Sequence, residues 1–227
     1  MLRTCVMLTL AAGLATAAAA QNRTGCDQIG DSDRANFCEV REMTIGASNP
    51  IEVDAGKNGG IRIHGWDRGD ALVRARIVAY GDTQADAQRA AQSIRIDASG
   101  SVVRADGPSN DDRTGWSVSF EISVPRTAML TLKANNGGIS IDDFRGTAKF
   151  ETHNGGISLR NVGGDLHGET TNGGVTVEAS GDHWDGTGLD VTTRNGGVNV
   201  RLPEHYSAEL EVGTEHGSPS REPSAGL

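Results

Sequence analysis

The chain has 227 residues, a formal net charge of -9 at pH 7, 31 glycines and nine aromatic residues, namely three Trp, two Tyr and four Phe. An acidic chain without a basic cluster lacks the footprint that nucleic-acid binding needs, so we expect no nucleic-acid partner. So few large apolar side chains argue against a conventional compact core and favour a repeat architecture, in which small β-branched residues stack in register.

Residues 1–20 predict a secretory signal peptide. Arg3 precedes an uncharged apolar run that ends in small residues, Ala18 to Ala20, before Gln21. The run is shorter than the roughly 20 residues needed to cross a bilayer, and its end fits cleavage by a signal peptidase. We therefore expect no membrane span, a mature chain that starts at Gln21, and a location in the periplasm or on the surface of a bacterium.

Residues 21–49 form an N-terminal segment that holds both cysteines of the mature chain, Cys26 and Cys38. Export to an oxidising compartment predicts a disulfide between them, with two free thiols as the alternative. A metal site is disfavoured, because no paired Cys or His spacing accompanies these cysteines.

Residues 50–214 contain a β-strand repeat. An Asn-Gly-Gly phrase followed by an alternating apolar pair occurs five times, and the last four copies start 18, 18 and 23 residues apart. Alternation at period two marks strands with one buried face, so each copy predicts two short strands joined by a turn. The predicted turn residues are Asn58, Gly59, Gly60, Asn136, Gly137, Gly138, Asn154, Gly155, Gly156, Asn172, Gly173, Gly174, Asn195, Gly196 and Gly197.

The even spacing of the copies predicts the architecture. In an all-β solenoid, a fold like a single-stranded β-helix, each coil stacks its equivalent side chains about 4.8 Å from those of the next coil. An antiparallel β-meander is the alternative, because Asn-Gly between alternating runs is also a strong hairpin signal. We favour the solenoid, because a meander has no need for the same side-chain type every 18 residues.

One helix interrupts the repeat between its first and second copies. Thr83 and Asp86 have the spacing of a capping box, and Ala87, Ala91 and Ile94 follow at helical spacing. We expect a helix near residues 83–93, carried by an excursion from the solenoid.

Residues 215–227 depart from the pattern. His216 takes the Asn position, and Pro219 and Arg221 take the places of the apolar pair. Proline cannot donate to a ladder and arginine is costly facing a core, so we expect regular coils to end near Thr214. A disordered tail, or a truncated or frame-shifted gene, would account for this ending. The uncapped last coil leaves an unpaired strand edge, which predicts self-association.

These repeats resemble the bacterial putative-adhesin family of β-strand-repeat domains of unknown function. The resemblance rests on the repeated phrase, on the leading segment CEVREMTI from Cys38 and on the early NGGIRIHGW from Asn58. It extends from about Cys38 to Thr214. It implies an envelope or surface location and a binding or structural role, and it carries over no catalytic residue.

The repeated phrase itself predicts structural turns, because glycine adopts positive φ without steric cost and Asn tolerates the left-handed region. Calcium-binding β-rolls also begin their repeats with paired glycines, in the pattern G-G-x-G-x-D. Ser140 replaces the third glycine here. The aspartate position of the pattern holds Asp142 in this copy, but Arg160, Glu178 and Arg201 in the three copies that follow. We therefore expect no metal and no cofactor.

The segment GDHWDGTG contains the extra residues of the 23-residue interval between the last two copies. It also contains the one compact cluster of charged and aromatic side chains in the sequence, Asp182, His183, Trp184 and Asp185. These four residues are a candidate binding site, because Trp can form a platform for a sugar ring. The alternative is that Trp184 folds back over the apolar edge of its own coil. Arg68-Gly69-Asp70 spells an integrin-type tripeptide, for which ordinary turn chemistry is the preferred interpretation.

The sequence predicts no catalytic residue. It contains no nucleophile elbow, zinc helix or phosphate-binding loop. Asp142 and Asp143 are adjacent, so on a strand they would point to opposite faces and could not flank one substrate bond. We expect an exported envelope scaffold that binds a glycan or a protein. The alternatives are a carbohydrate-active β-helix enzyme and an accessory protein of envelope stress signalling.

Overall fold

In the computed structural model the described residues form two sheets, built largely from parallel strands, and one helix. The structure describes residue 26 and residues 34–47, 50–110, 114–209, 216 and 219–223. The predicted signal peptide lies outside the described residues. In chain order the elements are β1 (Ala35–Gly46), β2 (Ile51–Asp54), β3 (Ile61–Trp66), β4 (Asp70–Gly81), α1 (Gln84–Ser93), β5 (Arg95–Ser99), β6 (Val102–Asp106), β7 (Gly115–Pro125), β8 (Met129–Asn136), β9 (Ile139–Asp142), β10 (Thr147–Asn154), β11 (Ile157–Arg160), β12 (Asp165–Asn172), β13 (Val175–Glu178), β14 (Gly188–Asn195), β15 (Val198–Leu202) and β16 (Pro219–Pro223).

Each repeat is one coil of a β-solenoid. Its longer strand joins sheet B, in the order β14-β12-β10-β8-β2-β6-β5, and its shorter strand joins sheet A, in the order β1-β4-β7-β3-β9-β11-β13-β15-β16. The pairing within the repeat block is parallel, and Ile157 lies opposite both Ile139 and Val175. The predicted solenoid is therefore confirmed, and the antiparallel meander is excluded for this block.

The isolated first copy of the phrase belongs to the same stack. β3 lies beside β9, with Ile61 opposite Ile139, and β2 lies beside β8, although the two coils are separated by a long excursion in sequence. Within that excursion β6 and β7 extend the two parallel sheets, while β5 pairs antiparallel with β6, and β4 with β7. Antiparallel strands thus close the N-terminal end of the solenoid.

Helix α1 forms part of this closure and confirms the predicted helical insertion. A capping box starts it, because the Thr83 hydroxyl accepts from the Asp86 N–H and the Asp86 carboxylate accepts from the Thr83 N–H. Ala87 and Ala91 are buried. Arg41 of β1 donates to the carbonyl oxygens of Ala91 and Ile94 at 3.1 and 2.6 Å, which satisfies acceptors at the helix end.

The core is a set of rows of apolar side chains between the two sheets. Along one row of sheet A, Ile63, Ile141 and Leu159 are fully buried, and Leu132 and Leu166 of sheet B are fully buried as well. Small and β-branched side chains suffice, because each stacks on its equivalent in the next coil about 4.8 Å away. This explains how a chain with nine aromatic residues buries a continuous core.

A disulfide joins Cys26 to Cys38, whose Cα atoms are 5.9 Å apart. Cys38 lies in β1, the outermost strand of sheet A at its N-terminal end. The bridge therefore ties the segment before the solenoid to the strands that close it.

The C-terminal strand corrects the prediction for the tail. β16 pairs in parallel with β15, with Pro219 opposite Val198 and Arg221 opposite Val200, and His216 forms a bridge with Asn195. The expectation that regular coils end near Thr214, with a disordered tail after it, is therefore wrong for residues 219–223. Backbone pairing continues although the apolar pair is lost.

The direction of the ladder bonds explains why proline is tolerated there. The N–H of the first residue of a short strand donates to the next coil, as Ile157 does to the Gly174 carbonyl at 2.9 Å and Val175 to the Gly197 carbonyl at 2.9 Å. The N–H that Pro219 lacks would point away from β15, so its absence removes no bond from the ladder between β15 and β16. Residue 223 is also proline and has the same orientation. The expected self-association through this edge stays a prediction, and the loss of two outward donors opposes it.

Candidate functional site

The turns of the repeat carry a continuous ladder of asparagine side chains. Each Asn side-chain N–H donates to the side-chain oxygen of the Asn one coil earlier, at distances between 2.8 and 3.1 Å. The ladder consists of Asn58, Asn136, Asn154, Asn172 and Asn195. These residues are structural, because their amide groups are occupied by one another.

The glycines of these turns are needed for a different reason from the one predicted. None of Gly137, Gly155, Gly173 and Gly196 has a positive φ. A Cβ atom on any of them would lie 2.1 to 2.2 Å from the carbonyl oxygen of the first glycine one coil earlier. Close approach of neighbouring turns, and not left-handed backbone, therefore requires glycine at this position in the last four copies.

A row of buried threonines completes each turn. The hydroxyl of Thr152 donates to the Gly137 carbonyl oxygen at 2.7 Å, and Thr170 and Thr193 repeat the contact on the next coils at 2.8 Å. All three side chains are buried. The alternation of apolar and polar residues predicted only a small inward-facing side chain at this position. The sequence signal for the hydrogen bond was the recurrence of Thr two residues before Asn154, Asn172 and Asn195.

The adjacent carboxylates Asp142 and Asp143 are both engaged in contacts between coils. Asp142 lies on β9 and accepts from the Arg160 guanidinium at 2.7 Å, a contact that raises the pKa of Arg160. Asp143 follows the strand with a φ of 56°, and Asn161, one coil later, has a φ of 48° and donates to its carboxylate. Neither arrangement presents a pair of carboxylates to one substrate bond.

The predicted cluster at residues 182–185 does not converge on one point. Trp184 packs against the core, and its indole N–H donates to the Gly164 carbonyl oxygen at 3.1 Å. Asp182 and His183 contact each other at 2.5 Å and are exposed, while Asp185 faces Arg145 at 3.9 Å. The hydrogen bond with His183 lowers the pKa of Asp182. As a ligand site this cluster stays a prediction, and the geometry of Trp184 agrees with the structural alternative.

The Arg68-Gly69-Asp70 tripeptide follows β3 and ends at Asp70, the first residue of β4. Arg68 donates to both carboxylate oxygens of Asp70, at 2.9 and 2.6 Å, and its guanidinium stacks 4.3 Å from the Trp66 ring. The two charges of the tripeptide are thus occupied by each other.

The outer face of sheet A carries a groove of about 770 Å³. It crosses the strands and therefore runs along the solenoid axis. Its floor consists of two rows. One row holds Gly60, Gly138, Gly156 and Gly174 and continues at Ser119, and the other holds the hydroxyls of Ser140, Ser158 and Thr176. We call this feature the sheet A groove. Sequence reasoning missed it, although a glycine lies two residues after each Asn and a Ser or Thr lies four residues after Asn136, Asn154 and Asn172.

Register explains the shape of the groove. Ser158 lies opposite Ser140 and Thr176 on the neighbouring coils, so the hydroxyls form a line about 4.8 Å apart. The glycine row has no side chains, which leaves the sheet recessed beside that line. On the other side of the hydroxyls runs a row of alternating charges, in which Arg160 pairs with Asp142 and Arg201 with Glu178, at 2.7 and 2.6 Å.

Arginines dominate the charged residues that line the sheet A groove, which are Arg62, Arg74, Arg76, Arg160 and Glu121. Arg74 is opposite Glu121, which is opposite Arg62, so three strands bring these groups together at the N-terminal end. Arg74 pairs with Glu42 at 2.8 Å. A protein with a net charge of -9 thus places three arginines, with Glu42 and Glu121 among them, beside a row of hydroxyls.

The described part of the chain contains neither a metal-binding cluster nor a membrane-spanning helix. No group of three or more His, Cys, Asp or Glu side chains is arranged there to hold a metal ion. No helix among the described residues is both long and apolar enough to span a membrane.

Residues 79–222 match the family model described as Toastrack DUF4097. The chain belongs to the Toastrack DUF4097 family. The match extends from the end of β4 through β16, so the Toastrack region includes the repeat block and part of the N-terminal closure. This match confirms the resemblance to a family of β-repeat domains of unknown function.

Several solved structures resemble this Toastrack protein weakly. A "putative adhesin" from Bacteroides fragilis is 10% identical with a TM-score of 0.31, and the alignment covers 82% of this chain and 94% of that one. A "putative cell adhesion protein" from Clostridium sporogenes is 8% identical with a TM-score of 0.32, covering 82% and 95%. Such low scores carry no argument about function. A search of curated proteins finds no match.

Proposed function

We propose that this Toastrack protein is an exported scaffold of the bacterial envelope that binds an extended ligand in the sheet A groove without chemically changing it. The groove carries the proposal, because its volume of about 770 Å³ lies within the range of ligand sites, roughly 300–1,000 Å³. Export is supported by the signal-peptide pattern of residues 1–20 and by the Cys26–Cys38 disulfide, which suits an oxidising compartment.

Binding without catalysis fits the residues that line the groove. Hydrolysis of a glycosidic bond requires two carboxyl groups that flank it. Glu121 is the single carboxylate among the described residues that line the groove. The neighbouring Asp142 and Glu178 form ion pairs with Arg160 and Arg201. Hydroxyls and arginines can hold a ligand through hydrogen bonds and charge, which is the role of an adhesin or a structural scaffold.

Export and binding can be tested on one preparation. The full chain is expressed with its own leader in a Gram-negative host and purified from the periplasmic fraction. We expect an N-terminus at Gln21 and an intact disulfide. A chain that stays in the cytoplasm with Met1 and with Cys26 and Cys38 reduced would contradict export.

The purified protein is then assayed against a panel of neutral and acidic envelope polysaccharides and against isolated envelope fragments. Ser158→Tyr places a bulky side chain on the groove floor, and Thr192→Tyr places the same side chain on the exposed outer face of sheet B. We expect Ser158→Tyr to abolish binding and Thr192→Tyr to retain it. Equal binding by both variants, or no binding by the wild type, would overturn the groove as the site. Mass spectra that show a cleaved ligand would overturn the non-catalytic role.

A further inference from the structure

We infer that the ligand of the sheet A groove is a linear acidic polysaccharide whose carboxylates bind at Arg62, beside Arg74 and Arg76. This inference rests on the proposed function and adds to it the chemical class of the ligand. Three properties of the groove carry it: its repeated floor, its lack of outward aromatic rings, and the position of its cations.

The floor repeats the same groups at a constant interval. From Ser140 through Ser158 to Thr176, each coil presents one hydroxyl beside one glycine, about 4.8 Å from the next coil. Equivalent groups at even spacing suit a straight polymer with many hydroxyls and do not suit a compact molecule. A hydroxyl both donates and accepts, so it can pair with sugar hydroxyls in either direction.

The groove offers no aromatic platform. Phe120 is the one aromatic residue among the described lining residues, and it is 2% exposed because its ring points into the core. Stacking on aromatic side chains is a main source of affinity for single-stranded nucleic acid. Stacking likewise supports the binding of uncharged sugars, so affinity in this groove has to come from hydrogen bonds and charge.

Charge is concentrated at the N-terminal end of the groove. Arg62 is exposed at the middle of β3 and has no ion-pair partner among the described residues. Arg74 is two strands away in the same row, and Arg76 is the next outward residue of β4. A planar guanidinium pairs with a carboxylate through two parallel hydrogen bonds, which makes arginine suited to uronate groups. The hydroxyl row leads directly away from this cluster along the axis.

The experiment compares two probes that differ only in charge. Oligogalacturonate carries one carboxylate per sugar, and its methyl ester has the same sugars without the charge. Binding of each to the full processed chain is measured by calorimetry at low and high salt. We expect oligogalacturonate to bind at least tenfold more tightly at low salt, and this advantage to shrink as salt rises. Equal affinity for the two probes would overturn the acidic ligand.

Arg62→Gln is the diagnostic variant, and Arg95→Gln is its matched control, because Arg95 is an exposed arginine of sheet B that undergoes the same loss of charge. We expect Arg62→Gln to weaken oligogalacturonate binding about tenfold, the usual effect of losing one charged hydrogen bond, and to leave the ester unchanged. An equal loss in both variants would contradict the assigned position. A single-stranded DNA oligomer that binds more tightly than oligogalacturonate would also overturn the inference.

The same measurements separate this inference from the proposed function. If neutral polysaccharides bind, and Ser158→Tyr abolishes their binding, the groove remains a binding site and the acidic ligand is refuted. If no polysaccharide or envelope fragment binds, both are refuted. Thermal melts of every variant establish that each one is folded before its affinity is compared.

Discussion

Replacing the first glycine of a turn tests the close packing of the coils. A Cβ atom on Gly155 would lie 2.2 Å from the Gly137 carbonyl oxygen, which also accepts the 2.7 Å hydrogen bond of the buried Thr152 hydroxyl. Real contacts of this kind need about 3 Å or more, so the two turns must separate. Overpacking of this kind costs about 1–3 kcal/mol, and a weakened buried hydrogen bond adds about 1 kcal/mol.

We therefore expect Gly155→Ala to destabilise the protein by about 3 kcal/mol, which corresponds to a fall in Tm of roughly 6–12 °C for a chain of this size. Gly69→Ala is the matched control, because nothing lies within 4 Å of its added Cβ atom and its φ is not positive. Calorimetric melts of the wild type and both variants provide the comparison. If Gly155→Ala has the same Tm as the wild type and Gly69→Ala, the proposed role of glycine in coil spacing is refuted.

Three further predictions concern other parts of the solenoid. Asn154→Ala removes two ladder hydrogen bonds of 2.8 Å, so we expect a loss of about 1–2 kcal/mol in urea unfolding, and a wild-type midpoint would refute the ladder's contribution. The Thr83 hydroxyl lowers the pKa of Asp86 below its ordinary 3.8, so the cap is fully stabilising above that pH and is lost as pH falls through the lowered value. The protection of the α1 amides, measured as their exchange rate relative to the intrinsic rate at each pH, should therefore fall below pH 3.8 in the wild type. The Asp86→Asn variant should show no such step. Replacing Pro219 and Pro223 by Thr restores two outward N–H groups at the edge of β16, so light scattering should detect more dimer than in the wild type; an unchanged monomer would show that these prolines do not protect the edge.

Local patterns determined much of this fold. The 18-residue interval and the alternation of apolar residues specify which side chains face inward, because a strand alternates its faces whatever lies beside it. The helix followed from the capping residues and alanine spacing, both of which act within one or two turns. The parallel stacking of equal repeats followed because one coil alone buries too little apolar surface and has to share its core with the next coil.

Contacts between distant segments were decided only by the tertiary structure. Glycine is required at position 155 by a carbonyl oxygen one coil away, and Pro219 is tolerated because β15 lies on the side of β16 to which its missing N–H would not point. The groove arises in the same way, because β4 folds antiparallel onto β7 and brings Arg74 into the same row as Arg62. A single strand specifies the direction of its side chains. Which strand lies alongside it, and hence which charges meet, depends on pairings that close long loops and leave no local periodic trace in the sequence.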